Sequence, residues 1–255
     1  MINMTNKTNG TKRTKRTDKI YKKLAIFDID GTIFRSSLVI ELSHALVDAK
    51  VFPKSARKEI SKEYLAWLNR KGSYEAYIDK VVKIYVKHIA GKSFVDVDKV
   101  ARQVINFQKD RVYRFTRDFI KQLKTKNYFL VAISGSPSYI VEKYAKAIGF
   151  NLFFGTELEV LAGKFTGRVK SLESAFNKAG IVKNLAVKYN ANLKQSVAVG
   201  DTEGDIPMLK LVGKPIAFNP NLGLAKFAKK EGWTVVTERK DVIYQINDFK
   251  FLNNL

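Results

Sequence analysis

The chain of 255 residues contains no cysteine. Disulfides, zinc–thiolate centres and a thiol nucleophile are therefore excluded, and the cytoplasm is the expected compartment. Acidic residues are scarce: 24 Asp and Glu against 46 Lys and Arg give a formal net charge of +22. Long apolar runs are missing too. The apolar stretches are broken by Lys or Asp and fall short of the roughly 20 residues that cross a bilayer, so no membrane span is expected. The opening residues are basic, but no apolar segment follows them, which argues against a secretory signal.

The basic excess is spread along the chain, with one dense spot in the first 23 residues, where eight basic residues face one acidic residue. A spread excess suits anionic substrates and weak adhesion to nucleic acid. It suits a Lys- and Asn-rich background composition equally well, and no specific nucleic-acid partner is expected. Residues 1–20 are Thr, Asn, Lys and Arg with almost nothing to bury, which predicts a disordered basic tail.

Apolar residues make up 45% of the chain, enough for a filled interior. The run Leu24-Ala25-Ile26-Phe27 reads as a strand covered on both faces. From Leu38 to Lys124 the apolar spacing turns helical. Pro53 starts one helix, Ser73 caps another, Gly91 ends it, and a break is expected near Tyr113. Strand signals return at Tyr128–Ile133, Asn151–Phe154, Ser196–Gly200 and Pro215–Phe218, with Thr234–Val236 as a possible edge. Gly163-Lys164 reads as the turn of a hairpin over 157–169, and a helix is expected over 172–189. Strands alternating with helices predict an α/β fold with a doubly wound parallel sheet and an inserted all-helical segment. The expected division is a core of residues 21–35 and 116–255 and a helical insertion of residues 36–115.

Two acidic clusters follow two of these strands: Asp28-Ile29-Asp30-Gly31-Thr32 after the first, and Asp201-Thr202-Glu203-Gly204-Asp205 after Ser196–Gly200. Ser134-Gly135 follows a third. In open parallel sheets, ligands bind beyond the carboxyl ends of the strands. Several carboxylates gathered there repel one another and call for a cation. Oxygen ligands without His or Cys suit Mg2+. A carboxylate can attack phosphorus to give an acyl phosphate that water later opens, while a second acid protonates the leaving oxygen and then activates water. Ser134 offers a hydroxyl, and the Gly31 and Gly135 regions offer backbone N–H groups at close approach. A lysine should complete the phosphate site. Lys178, at the start of a helix, and Lys183, further inside it, are the candidates.

These residues carry a resemblance. Asp28-Ile29-Asp30-Gly31-Thr32, Ser134-Gly135, a lysine before the fourth strand, and Gly200-Asp201-Thr202-Glu203-Gly204-Asp205 resemble the four motifs of the haloacid dehalogenase-like hydrolases, in order and spacing. The resemblance implies Asp28 as nucleophile and Asp30 as general acid and base. It implies Mg2+ held by Asp28, the Asp30 carbonyl and Asp201, with Asp205 assisting. Ser134 and a lysine near the helix start, Lys178 here, would grip phosphate. The insertion between the first two motifs lies where that family places a helical cap. With Ile133-Ser134-Gly135-Ser136-Pro137 and Gly163-Lys164-Phe165-Thr166-Gly167-Arg168, it is similar to the branch that includes phosphoserine phosphatase. That branch usually has Ser where this chain has Gly31, and a Glu early in the cap where this chain has Ser37; Glu41 is one helical turn on.

The expected function is Mg2+-dependent hydrolysis of a small phosphorylated metabolite. Two alternatives remain open on the same residues. One is a phosphomutase or phosphotransferase of the same superfamily. The other is a nucleic-acid- or membrane-tethered module whose catalysis is incidental.

Overall fold

The computed structural model describes residues 23–251, so the expected basic tail of residues 1–20 lies outside the described residues. The first strand, β1 (Leu24–Asp28), leads into five helices: α1 (Leu38–Asp48), α2 (Lys54–Glu59), α3 (Ser61–Leu68), α4 (Tyr74–Ile89) and α5 (Phe94–Gln108). Helix α6 (Arg114–Thr125) returns the chain to β2 (Phe129–Pro137), followed by α7 (Ser138–Ile148), β3 (Leu152–Leu161) and β4 (Lys164–Ser171). Then come α8 (Glu173–Phe176), α9 (Lys178–Lys188), β5 (Val197–Gly200), α10 (Ile206–Leu209), β6 (Lys214–Phe218), α11 (Leu222–Glu231), β7 (Thr234–Arg239) and β8 (Val242–Ile246).

The strands form one sheet in the order β4-β3-β2-β1-β5-β6-β7-β8. Its centre is parallel, and an antiparallel pair closes each end, β3 with β4 and β7 with β8. Strand order reverses direction at β1, which pairs with β2 on one side and β5 on the other. This is the switch point at which α/β sheets leave a crevice above the strand ends.

Alternation along β1 separates two cores. Ala25 and Phe27 face the layer that contains α1, α5 and α7, whereas Leu24 and Ile26 face α9, α10 and α11. All four are fully buried, and burial of a side chain the size of Phe27 stabilises the fold by about 2–3 kcal/mol. The helical insertion shares the first of these cores: Leu38, Leu42, Tyr77 and Val104 belong to the same apolar cluster as Phe27 and Tyr144. Polar ties reinforce it. Asp98 of α5 pairs with Lys143 of α7, and the Tyr85 and Tyr139 hydroxyls of α4 and α7 are hydrogen-bonded. The two connections of the insertion lie side by side. Arg35 N–H donates to the Arg111 carbonyl at 3.0 Å, and Tyr113 N–H to the Ile33 carbonyl at 3.1 Å.

Three local expectations change. The helix over 172–189 is interrupted at Asn177, which leaves helical geometry and accepts a hydrogen bond from Gly180 N–H, so a new helix starts at Lys178. The third strand and the first arm of the hairpin are one ten-residue strand, β3. It passes so close to the start of α7 that a Cβ at Gly155 would come 2.6 Å from Ser138 Cα. Finally, Thr234–Val236 is extended into β7 and followed by β8, whose mostly exposed residues pair antiparallel with β7.

Candidate active site

The loop after β1 folds back on itself. The N–H groups of Thr32, Ile33 and Phe34 all donate to the Ile29 carbonyl, and Gly31 turns the chain with φ +84. This geometry needs glycine twice over. A side chain is strained at that φ, and a Cβ there would lie 2.2 Å from Asp201 Oδ2. The sequence points to the Gly31 region as a source of N–H groups for phosphate, but the N–H of Gly31 itself is turned into the loop. That N–H donates to the Phe34 and Ser36 carbonyls, at 3.0 and 3.1 Å. What Gly31 provides is room for Asp201.

Asp28, at the end of β1, is buried, and its Oδ1 accepts from Lys178 Nζ at 2.6 Å. The same ammonium donates to Asp205 Oδ1 at 2.6 Å. The break at Asn177 places Lys178 as the first residue of α9, facing inward, while Lys183 is exposed on the same helix. Asp205 is fully buried, and its second oxygen accepts from the N–H groups of Asp201 and Thr202, each at 3.1 Å. It thereby fixes both the lysine and the loop after β5. Asp201 Oδ1 accepts from the Thr32 hydroxyl at 3.0 Å, which ties the two acidic loops together.

Asp30 points another way. Its Oδ1 accepts from Leu38 N–H at 2.5 Å, and its Oδ2 from the hydroxyls of Ser134 at 2.5 Å and Ser136 at 2.9 Å. Ser136 also accepts from Val39 N–H at 3.1 Å. The Ser134 hydroxyl thus holds Asp30, whereas Gly135, between the two serines, lines the open cleft. Ser136 and Thr32 were not singled out from the sequence. The signal for Ser136 was its spacing: two residues after Ser134 on an extended segment, it returns to the same side.

Asp28, Asp201 and Asp205 present carboxylate oxygens within 4.8 Å of one another. Asp28 Oδ2 is buried without a hydrogen-bond partner. Burial pushes the Asp28 carboxyl up to about 8, because Lys178 only partly offsets it while Asp205 and Asp30 add to it. Burial, with the charges of Asp28 and Asp205, also pushes Asp201 well above the usual carboxylate range. Asp30 is raised by burial against the opposing hydrogen bonds from Ser134, Leu38 and Ser136. Burial alone would lower Lys178, but Asp205 and Asp28 overcome it and hold the ammonium charged. One lysine therefore faces a surplus of carboxylates, and the orphaned Asp28 oxygen marks where further positive charge fits. A hard divalent cation with oxygen ligands suits this donor set.

Asp28, Asp30 and Asp201 lie on the floor of a cleft of about 500 Å³ between the ends of β1, β2 and β5, helix α4 and the β3–β4 hairpin. Ser37 lines the cleft; Glu41 does not, and is held instead by Gln108 and Arg111. Arg35 is exposed and stacks over the Tyr113 ring, and His88 pairs with Glu59 outside the cleft.

Comparison with known proteins gives the same placement. A phosphoserine phosphatase of Methanocaldococcus jannaschii is 29% identical over 223 residues, covering 87% of this chain and 94% of that protein. A phosphoserine phosphatase of Mycobacterium tuberculosis is 25% identical over 83% of this chain and 69% of its own length. A solved phospho-aspartyl intermediate analogue of phosphoserine phosphatase is 27% identical, with a TM-score of 0.58, over 87% of this chain and 95% of that one. The family model for haloacid dehalogenase-like hydrolases matches residues 25–210, a span that runs from β1 through both acidic loops, and the chain belongs to that family.

Proposed function

We propose that the protein is a Mg2+-dependent phosphatase that hydrolyses a small phosphomonoester through a phosphoryl group carried on Asp28. The observation that carries this reading is a buried carboxylate at the switch point of the sheet, held by Lys178 through one oxygen and orphaned at the other. In this reading Asp28 attacks phosphorus as the bond to the leaving oxygen breaks. Asp30, raised toward its protonated form and aimed by Ser134, Ser136 and Leu38 N–H, gives its proton to that oxygen. It then takes a proton from the water that attacks the acyl phosphate, which releases phosphate and restores Asp28. Lys178 offers the phosphoryl oxygens positive charge, and Gly135 leaves space for them. Asp28, the Asp30 carbonyl and Asp201 would hold Mg2+, with Asp205 adding charge. When bound, the ion supplies the positive charge that lets an anionic nucleophile approach an anionic phosphate. Residues 36–115 act as the cap over residues 21–35 and 116–255, and a cytoplasmic location belongs to the same proposal. Similarity to phosphoserine phosphatases supports hydrolysis over transfer to a second sugar. A phosphate-release screen over phosphomonoesters with Mg2+ tests the reading.

Two outcomes are expected here. Asp30→Asn should lower kcat on alkyl phosphates by about 10²–10⁴, and markedly less on p-nitrophenyl phosphate, whose leaving oxygen needs little protonation. Steady-state kinetics on both substrates checks this, and equal losses would exclude acid catalysis by Asp30. The second concerns the metal-free protein. The raised carboxyls of Asp28 and Asp201 bind protons more tightly folded than unfolded. Their contribution to stability is full below the ordinary carboxylate range and is lost as pH rises toward the Asp28 value of about 8. Mg2+ should therefore raise Tm more at pH 8 than at pH 5, as measured by calorimetry after chelation.

A further inference from the structure

A phosphoryl group fills only a small part of a cleft of about 500 Å³, and the rest of the wall has a distinct chemistry. Helix α4 presents Ile78, Val82 and Val86 one turn apart along one face. The β3–β4 hairpin adds Leu158 and Val169 opposite them. Leu172 and Phe176 of the following turn and helix continue this wall to the surface, where Phe176 is 83% exposed. Val82, Val169 and Leu172 are also among the exposed large apolar residues, so the strip runs from the floor to an open lip.

Lys178 is the one Lys or Arg among the described residues that line the cleft, and Asp28 and Asp205 already hold it. The other charged groups on the upper wall are Glu75, Asp79 and Glu203, all acidic and exposed. A substrate with a carboxylate beyond its phosphate would find no cation there and would meet three like charges. Ser37 lines the wall without charge, and Glu41 is turned away to Arg111. Among the described residues that line the cleft, no free Lys or Arg is present to pair with the carboxylate of an amino-acid head.

We infer that the cleft takes phosphomonoesters whose leaving group is an apolar alcohol, an alkyl or aryl chain lying along α4 and the hairpin toward Phe176. This rests on the phosphatase reading for the floor of the cleft, but the wall makes a separate demand. Each methylene that leaves water against such a wall gains the usual apolar transfer energy.

The test is a homologous series of alkyl phosphates, with O-phosphoserine and phosphoethanolamine alongside, assayed by phosphate release with Mg2+. From ethyl to octyl phosphate, kcat/KM should rise by roughly two- to fourfold per methylene. Val82→Asp and Phe176→Asp, at exposed positions that tolerate a charge, should each lower the octyl-to-ethyl ratio by at least about tenfold. Calorimetric binding of alkylphosphonates, which cannot be hydrolysed, separates wall from floor. Affinity that rises with chain length supports the inference even if no substrate releases phosphate, in which case the phosphatase reading fails alone. A flat series in both assays, or a preference for phosphoserine or phosphoethanolamine over octyl phosphate, would overturn the inference.

Discussion

Asp28→Asn is expected to lower phosphate release by at least about 10⁴, the scale seen when a covalent nucleophile is removed from an enzyme. The amide has the shape of the carboxylate, so β1 and the loop after it should keep their packing. It is a poor nucleophile, however, and would not form an acyl phosphate. The substitution also removes one negative charge from a cluster in which burial already disfavours ionisation. Lys178 keeps its second partner, Asp205, at 2.6 Å. Loss of turnover should therefore come without loss of stability, and Tm in the absence of metal should be unchanged or higher. Release assays and thermal unfolding measured together check this. A variant that turned over normally would remove Asp28 from the chemistry.

Lys178→Met should produce the largest stability change of any single substitution at the site. The lysine side chain is 9% exposed and pairs with two carboxylates that are at least as well covered. Removing one partner from a buried ionic group leaves uncompensated charge, at a cost of about 3–5 kcal/mol. Proton uptake by Asp28 would reduce that cost at low pH, so the loss should be smaller at pH 5 than at pH 8. Activity should fall as well, because the phosphate loses a positive neighbour. Lys183→Met, on the exposed side of the same helix, should change stability by no more than about 0.5 kcal/mol. Urea unfolding of both variants makes the comparison, and equal effects would show that the buried triad contributes nothing special.

Much of this arrangement was legible in the sequence, for identifiable reasons. Apolar runs of four to six residues ending in Asp or Ser-Gly announce covered strands with polar ends, and β1, β2 and β5 follow from them. Parallel pairing then forces those ends to one edge of the sheet, which is why Asp28, Ser134 and Asp201 meet although they are more than 60 residues apart. The helix boundaries at Ser73 and Tyr113 were legible because a capping hydroxyl and a change of apolar phase mark them.

What escaped depends on where single side chains point. Gly31 has the composition of an N–H donor to phosphate, yet its N–H is consumed by the tight turn it makes, and only the position of Asp201 reveals its use. The strand signal stops at Ile133, but the strand continues through Pro137 and points the Ser134 and Ser136 hydroxyls at Asp30. Asn177 hides a helix break inside an apparently continuous pattern, because the residues on either side keep apolar periodicity. The apolar lip from Val82 to Phe176 joins three segments that are distant in sequence, and each alone looks like ordinary helix or hairpin surface.

The central claim is that the phosphoryl group rests on Asp28 between the two half-reactions. Acid quench of the enzyme within milliseconds of mixing with substrate and Mg2+, followed by proteolysis and mass spectrometry, tests it directly. One phosphoryl group should be found on the peptide spanning Leu24–Arg35, labile to hydroxylamine and absent from Asp28→Asn. A phosphoryl group on any other residue, or bursts of phosphate release with no modified peptide at any quench time, would contradict the account.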